Sequence, residues 1–278
     1  MRLLVCSVDD PASANIRAQL LRLAQFERME VEFGEGPVLM LEPGVALVTL
    51  SGELTEADAV DGLLNAELAV FLSRHESQSK EASLLAHVPG NWTSRAEAGG
   101  RPRGLCRAPA TALKEALREL AVQRELLGLS SWRLGVEATH HGPFLERTPA
   151  IFIEVGSGPG EWRDRAACLA VARAAMRAAR AKASCRSVIG LGGGHYAPKF
   201  TQLLLESELG VSYIAPKYVI DELDEALLRA AIERSVERVE CLALDWKGLT
   251  GAQRAKVLRL AEGLGIRAER VEGLLRTK

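Results

Sequence analysis

The sequence predicts an α/β fold, with three layers (α/β/α) around a mostly parallel or mixed central sheet. Three observations carry this expectation. Short apolar runs of strand length alternate with longer amphipathic segments along the whole chain. The chain opens strand–turn–helix, as doubly wound proteins often do. No composition shift or Pro/Ser-rich linker divides the 278 residues, so a single domain over residues 1–278 is expected.

The elements follow in order. Residues 2–8 form an apolar strand, Asp9-Asp10-Pro11 signals a helix start, and Leu20, Leu21, Leu23 and Phe26 supply its apolar stripe. Strands are expected at 45–50, at 68–73 running into Arg74-His75-Glu76-Ser77, and at 83–88, where His87 precedes the turn Pro89-Gly90-Asn91. Residues 93–107 are polar and carry Arg95, Arg101, Arg103 and Arg107; they read as a flexible Arg-rich loop. Leu113, Leu117, Leu120 and Leu127 mark one face of a helix over 111–127.

Residues 132–139 form a strand ending in His140-His141-Gly142-Pro143, and 150–155 another that contains Glu154. After the glycine-rich turn 156–160, an Ala/Arg helix is expected over 161–182. Residues 187–191 are a buried strand, followed by Gly192, Gly193 and Gly194, then His195, Tyr196, and Pro198 at a helix start that includes Lys199. Strands at 211–214 and 239–244 and helices at 221–234 and 250–264 complete the chain, the last helix stopping before Gly265.

The formal net charge of −1 gives no global basic excess, although Arg95–Arg107 is a local one. Five dispersed cysteines without a Cys-x-x-Cys pair argue against both a disulfide framework and a Cys₄ metal site. With no charged-then-apolar leader and no apolar run near 18 residues, a cytoplasmic protein without membrane contact is expected.

The five histidines are more informative. His75, His140 and His195 each follow an apolar run; in a parallel sheet all three would reach one edge, where open α/β folds build their sites. Three imidazoles, or two with a carboxylate such as Glu154 or Glu76, suit a metal ion. Adjacent His140 and His141 would point to opposite faces of a regular strand, so one ligand and one supporting residue are expected unless the Gly142-Pro143 turn intervenes. The sequence has no His-Glu-x-x-His, no phosphate-cradling P-loop and no Gly-x-Ser-x-Gly elbow. Lys199 would place an ammonium near an anion at its helix start. The residues alone leave open a zinc amidohydrolase or nucleoside-phosphorylase-like enzyme and a non-catalytic RNA-binding module.

Five stretches narrow this. They are Ser73-Arg74-His75-Glu76-Ser77, then His87-Val88-Pro89-Gly90-Asn91-Trp92, then Glu137-Ala138-Thr139-His140-His141-Gly142-Pro143. Phe152-Ile153-Glu154-Val155-Gly156-Ser157 and Gly192-Gly193-Gly194-His195-Tyr196-Ala197-Pro198-Lys199-Phe200-Thr201 follow. In order and approximate spacing they resemble the D-aminoacyl-tRNA deacylases of the archaeal and plant type, the zinc-dependent D-tyrosyl-tRNA deacylase family. The chain departs near Gly210, where Ser212 or Tyr213 stands in place of the family's usual histidine.

The resemblance implies a phosphorylase/hydrolase-like fold, zinc, and hydrolysis of the ester of tRNA carrying a D-amino acid, with no obligate protein partner. It implies metal ligands among His75, His140, His195 and Glu154, and catalytic roles for Glu137, His141, His195 and Lys199. Substrate contacts would come from Arg74, Gly192, Gly193, Gly194 and Tyr196. Backbone N–H groups of 193–195 would face an oxyanion, and Arg95, Arg101, Arg103 and Arg107 would contact tRNA.

Overall fold

A computed structural model describes residues 1–182 and 184–276. The first strand, β1 (Arg2–Ser7), is buried from Leu3 onward, as a strand covered on both faces must be. Leu4 and Cys6 join one apolar cluster, and Leu3 and Val5 another. Asp10 caps α1 (Pro11–Leu23) by accepting from Ser13 N at 3.0 Å. A hairpin of β2 (Glu27–Glu32) and β3 (Pro37–Glu42) leads to β4 (Val45–Leu50), which pairs parallel with β1. The sequence reading missed that hairpin. Then come β5 (Leu68–Glu76), β6 (Ser83–His87), α2 (Ala110–Leu126), β7 (Arg133–Val136) and β8 (Ala150–Ser157).

These strands form a mixed eight-stranded sheet in the order β2-β3-β4-β1-β5-β8-β6-β7. β4, β1, β5 and β8 run parallel, whereas β6 is antiparallel to β8 and carries β7 parallel to itself.

The expected helix over 161–182 is shorter. Residues Glu161–Arg163 form a 3₁₀ turn, and Asp164 starts α3 (Arg165–Ala179) by accepting from Ala167 N at 2.8 Å. The buried alanines of α3 allow it to lie close to the sheet. A second, wholly parallel sheet in the order β10-β9-β11-β12 is built from β9 (Arg186–Leu191), α4 (Pro198–Glu206), β10 (Leu209–Ala215), α5 (Glu225–Arg234), β11 (Val239–Leu244), α6 (Gly251–Gly263), β12 (Arg267–Arg270) and α7 (Val271–Leu274). Asp224 caps α5, so that helix begins four residues later than expected; Thr250 and Gln253 cap α6 as a reciprocal box.

Helices flank the mixed sheet, as the sequence predicts, and one apolar cluster joins residues of both sheets. The opposite face of the large sheet is covered by the short turns Leu54–Glu56 and Asp58–Val60 and by Cys106 and Leu145 from irregular segments. The Arg-rich loop is irregular, as expected, but pinned: Arg103 N donates to Thr93 O (2.8 Å), Asn91 N to Gly104 O (2.8 Å), and Arg103 Nη2 meets Asp224 (2.6 Å).

Beyond β7, residues 137–139 stitch the two sheets together. Ala138 N donates to His195 O (2.8 Å), Thr139 N to Ile214 O (2.9 Å), and Ala197 N to Val136 O (3.1 Å). No helix among the described residues is long and apolar enough to cross a membrane.

Candidate functional site

Strand alternation explains why polar groups meet on the face of the large sheet opposite α1, α2 and α3. In β8, Ile151, Ile153 and Val155 join the cluster beneath the helices, which leaves Phe152 and Glu154 on the other face. Register places Ser73 beside Glu154 and His75 beside Gly156, while antiparallel β6 sets His87 opposite Phe152. A Cβ at Gly156 would lie 2.8 Å from His75 Cβ, so glycine is what admits the His75 ring.

The buried Glu154 carboxylate accepts from Ser73 Oγ at 2.7 Å and lies 3.3 Å from His75 Nδ1 and 3.7 Å from His87 Nε2. Burial opposes its charge, but the neighbouring His75 and His87 imidazoles hold its carboxyl well below the usual carboxylate range. Burial likewise opposes a charge on His75, and the hydrogen bond to Glu154 with the charges of Glu137 and Glu154 outweighs it. The His75 pKa rises from the ordinary 6.5 to about 9. Tyr196 OH lies 2.9 Å from His75 Nε2.

Glu137, fully buried, lies between two histidines: its Oε1 is 2.9 Å from His195 Nε2 and 3.4 Å from His75 Nδ1. Tyr218 OH lies 3.3 Å from the other ring nitrogen of His195.

His140 and His141 depart from expectation. His141 has a φ of +44°, which takes it out of the extended conformation and ends the strand-like alternation of side chains. Both rings therefore enter one space, 4.3 Å apart between centroids, with His87 at 4.2 and 4.7 Å and His195 4.6 Å from His140. Burial, followed by the neighbouring imidazoles, keeps His140 well below the usual histidine range; burial and then His87 bring His141 down to about 3. Both rings are thus neutral at pH 7. His140 Nδ1 faces Ala138 O (2.7 Å) and His141 Nδ1 faces Gly142 O (2.6 Å). A carbonyl only accepts, so Nδ1 carries the proton and Nε2 keeps a free lone pair, the form in which imidazole binds a metal.

Three overlapping groups bring possible ligand atoms within 4.8 Å of one another: His87 with His140 and His141; Glu137 with His140 and His195; His75 with Glu137 and Glu154. The expected set His75, His140, His195 and Glu154 is therefore divided between two groups, both completed by Glu137. The chemistry fits a divalent cation, because both ring nitrogens of His87 and both oxygens of Glu137 are buried without a hydrogen-bond partner. His75, His140, His141, His195, Glu154 and Arg74 help line an adjoining cavity of about 450 Å³.

The histidines do meet, but not at one parallel edge. His140 follows β7, which runs against β5 and β8, and His195 comes from the second sheet. They gather at the seam that residues 137–139 close. Arg74, at the cavity wall, is held by Glu53 (3.0 Å) and Asp10 (3.7 Å).

Other expected residues lie elsewhere. Gly192 and Gly193 take φ of +103° and +78°, and a Cβ at Gly192 would lie 2.8 Å from Leu249 Cγ. These glycines serve close packing against the turn after β11, and Gly192 N donates to Ala215 O (2.8 Å). Gly194 is exposed, and none of the three glycines lines the cavity. Lys199 pairs with Glu272 (3.2 Å), also outside the cavity wall. Ser212 bonds to Ser187 Oγ (3.0 Å) and Tyr213 OH to Cys106 O (2.5 Å), so neither replaces an imidazole at the cluster. Sequence reasoning gave His87 no role; the signal was a histidine at the outward phase of an otherwise apolar strand.

A family profile described as D-aminoacyl-tRNA deacylase matches residues 63–269. The D-aminoacyl-tRNA deacylase of Pyrococcus furiosus is 35% identical over 272 residues, covering 96% of this chain and 98% of its own. That of Thermococcus onnurineus is 36% identical with the same coverage, and that of Methanosarcina acetivorans 33% identical, covering 95% of this chain and 90% of its own. A crystal structure of a conserved protein of unknown function superposes with a TM-score of 0.91 at 30% identity, over 100% of this chain and 97% of the other. Matched over nearly its whole length, the chain belongs to the D-aminoacyl-tRNA deacylase family.

Proposed function

We propose that the protein hydrolyses the ester joining a D-amino acid to the 3′ end of tRNA, releasing free tRNA and the D-amino acid, and so removes wrong-handed residues before translation. The observation that carries this is Glu137, a buried carboxylate with unpartnered oxygens set between His75 and His195 beside the cavity. As water adds to the ester carbonyl carbon, Glu137 accepts its proton. His195 passes a proton to the departing ribose oxygen as the carbon–oxygen bond breaks. His75, protonated at neutral pH, balances the two carboxylates around it.

Support for zinc comes from the donor set. His87, His140 and His141 would hold the ion, with His195 and Glu137 next to it. Zinc there would supply Lewis-acid polarisation of the ester carbonyl and acidification of water. Lys199, committed to Glu272, has no part in this scheme. The reading places the chain in the cytoplasm, with the charged tRNA, as one domain over residues 1–278.

The test is incubation of the purified protein with matched D- and L-aminoacyl-tRNA, with and without a chelator. Loss of the D-ester alone, suppressed by chelation and restored by zinc, is the expected result. Equal cleavage of both esters, or of neither, would overturn the reading.

A further inference from the structure

Three loops follow strands of the second sheet; the one after β9 brings His195 to the cavity wall, and the scheme above leaves the other two unused. The turn after β10 is docked on the glycine turn by Lys217 N donating to Gly193 O (2.9 Å), and Gln253 Nε2 holds Lys217 O from behind (2.9 Å). The turn after β11 closes the other side, since a Cβ at Gly193 would lie 3.0 Å from Asp245 Oδ2. The result is a fixed shelf adjoining His195.

Two features of the shelf point to a ligand. Tyr218 is 58% exposed, the most exposed aromatic side chain among the described residues, yet its hydroxyl is anchored 3.3 Å from His195 Nδ1. A flat ring is thus presented to solvent at a fixed place beside the reacting group. Lys217 and Lys247 are exposed, and neither ammonium forms an ion pair among the described residues, although the charge of Lys247 helps hold the Glu272 carboxyl below its ordinary range. Nearby acids are engaged: Asp245 accepts from Gly248 N (3.2 Å) and Glu272 pairs with Lys199 (3.2 Å). Trp246, the other aromatic of the shelf, is already covered by Arg270 and Arg254, at 4.2 and 4.8 Å from its ring centre. Exposed cations together with an exposed aromatic ring are the means by which proteins hold single-stranded nucleic acid.

We propose that Tyr218 is the platform on which the terminal base of the tRNA 3′ strand stacks, with Lys217 and Lys247 on the phosphates that precede it. This rests on the tRNA-ester reading, because the ester hangs from the ribose of that terminal nucleotide. A base on Tyr218 keeps that ribose next to His195, the group that protonates the departing oxygen.

The experiment compares wild type, Tyr218→Leu, Tyr218→Phe and the double variant Lys217→Ala/Lys247→Ala on D-aminoacyl-tRNA and on the corresponding D-aminoacyl-adenosine. Tyr218→Leu loses about tenfold or more in kcat/KM on both substrates, mainly through KM. Tyr218→Phe, which keeps the ring, recovers most of that loss. The lysine variant is impaired on tRNA alone, with a shallower salt dependence, because the adenosine ester has no preceding phosphates. Equal losses for Leu and Phe would show that the hydroxyl on His195 matters rather than the ring, and an unimpaired Tyr218→Leu would remove any role; either overturns the stack while wild type remains a deacylase. Failure of wild type on D-aminoacyl-tRNA would instead overturn the function and the stack with it.

Discussion

Glu137 Oε1 lies 2.9 Å from His195 Nε2, yet neither oxygen of this fully buried carboxylate has a partner in hydrogen-bonding geometry. A carboxylate without partners in the protein interior is costly unless its site exists to hold something else. The two residues come from different sheets, and Ala138 N donating to His195 O brings them together. The pair is therefore a product of the seam between the sheets.

His195 is the half-exposed member of the pair, and in the proposed scheme its proton goes to the departing oxygen. His195→Gln keeps a polar side chain of similar reach but cannot carry the proton. Its kcat on D-aminoacyl-tRNA falls about a hundredfold or more with little change in KM. A matched loss in KM with kcat intact would assign His195 to binding.

His87 lies within the sheet, stacked on Phe152 with ring centres 5.2 Å apart, and both its nitrogens lack partners. His87→Phe preserves the stack and removes a ligand. Metal analysis after gel filtration should show less bound zinc than in wild type, with activity lost in parallel. His75→Gln, which changes a protonated histidine outside that group, should retain its zinc. Full zinc in His87→Phe would exclude it as a ligand.

In metal-free protein His75 also makes stability depend on pH. Its pKa is about 9 when folded against the ordinary 6.5, so the folded chain holds a proton that the unfolded chain releases between those values. The contribution is full below the lower value and disappears as pH rises through the upper one; the shift corresponds to about 3 kcal/mol. Denaturant unfolding at about pH 6 and about pH 9.5 should show the advantage of wild type over His75→Gln shrinking at the higher pH. An advantage that stays constant or grows would contradict the assignment.

Lys114 is a buried lysine on α2, and its ammonium donates to Leu204 O (3.1 Å), Ser207 O (2.6 Å) and Leu209 O (2.6 Å). It ties the end of α4 to the start of β10. Lys114→Met fills the same space but leaves those carbonyls without their donor, at a cost of about 1–3 kcal/mol. Equilibrium unfolding measures it, and an unchanged midpoint would mean that water replaces the ammonium.

Much of this was legible in the sequence because strand and helix periodicities are local. The α/β alternation, the helix start at Asp9-Asp10-Pro11, and Glu154 within an apolar strand could be read directly. Direction could not: nothing local in residues 83–87 says that β6 runs against β8, and that reversal moves the histidines from one sheet edge to the seam. The φ of His141 was equally hidden, although the Gly142-Pro143 turn marked it as a place where strand geometry would fail. The glycines 192–194 were legible as a close approach, but not what they approach, which is the turn after β11. His87 was hidden because a histidine in an apolar strand looks like any core residue until its unpartnered nitrogens are seen.

The central claim is that Glu137 handles the proton of the attacking water, and single-turnover hydrolysis of D-aminoacyl-tRNA by wild type and Glu137→Gln at matched zinc content tests it most directly. The glutamine is isosteric and neutral, so it leaves the packing in place and removes only the base. The account predicts a hundredfold to ten-thousandfold slower chemical step, as an order of magnitude of about 10²–10⁴, with substrate binding retained. A Glu137→Gln protein that cleaves the D-ester at the wild-type rate would contradict it.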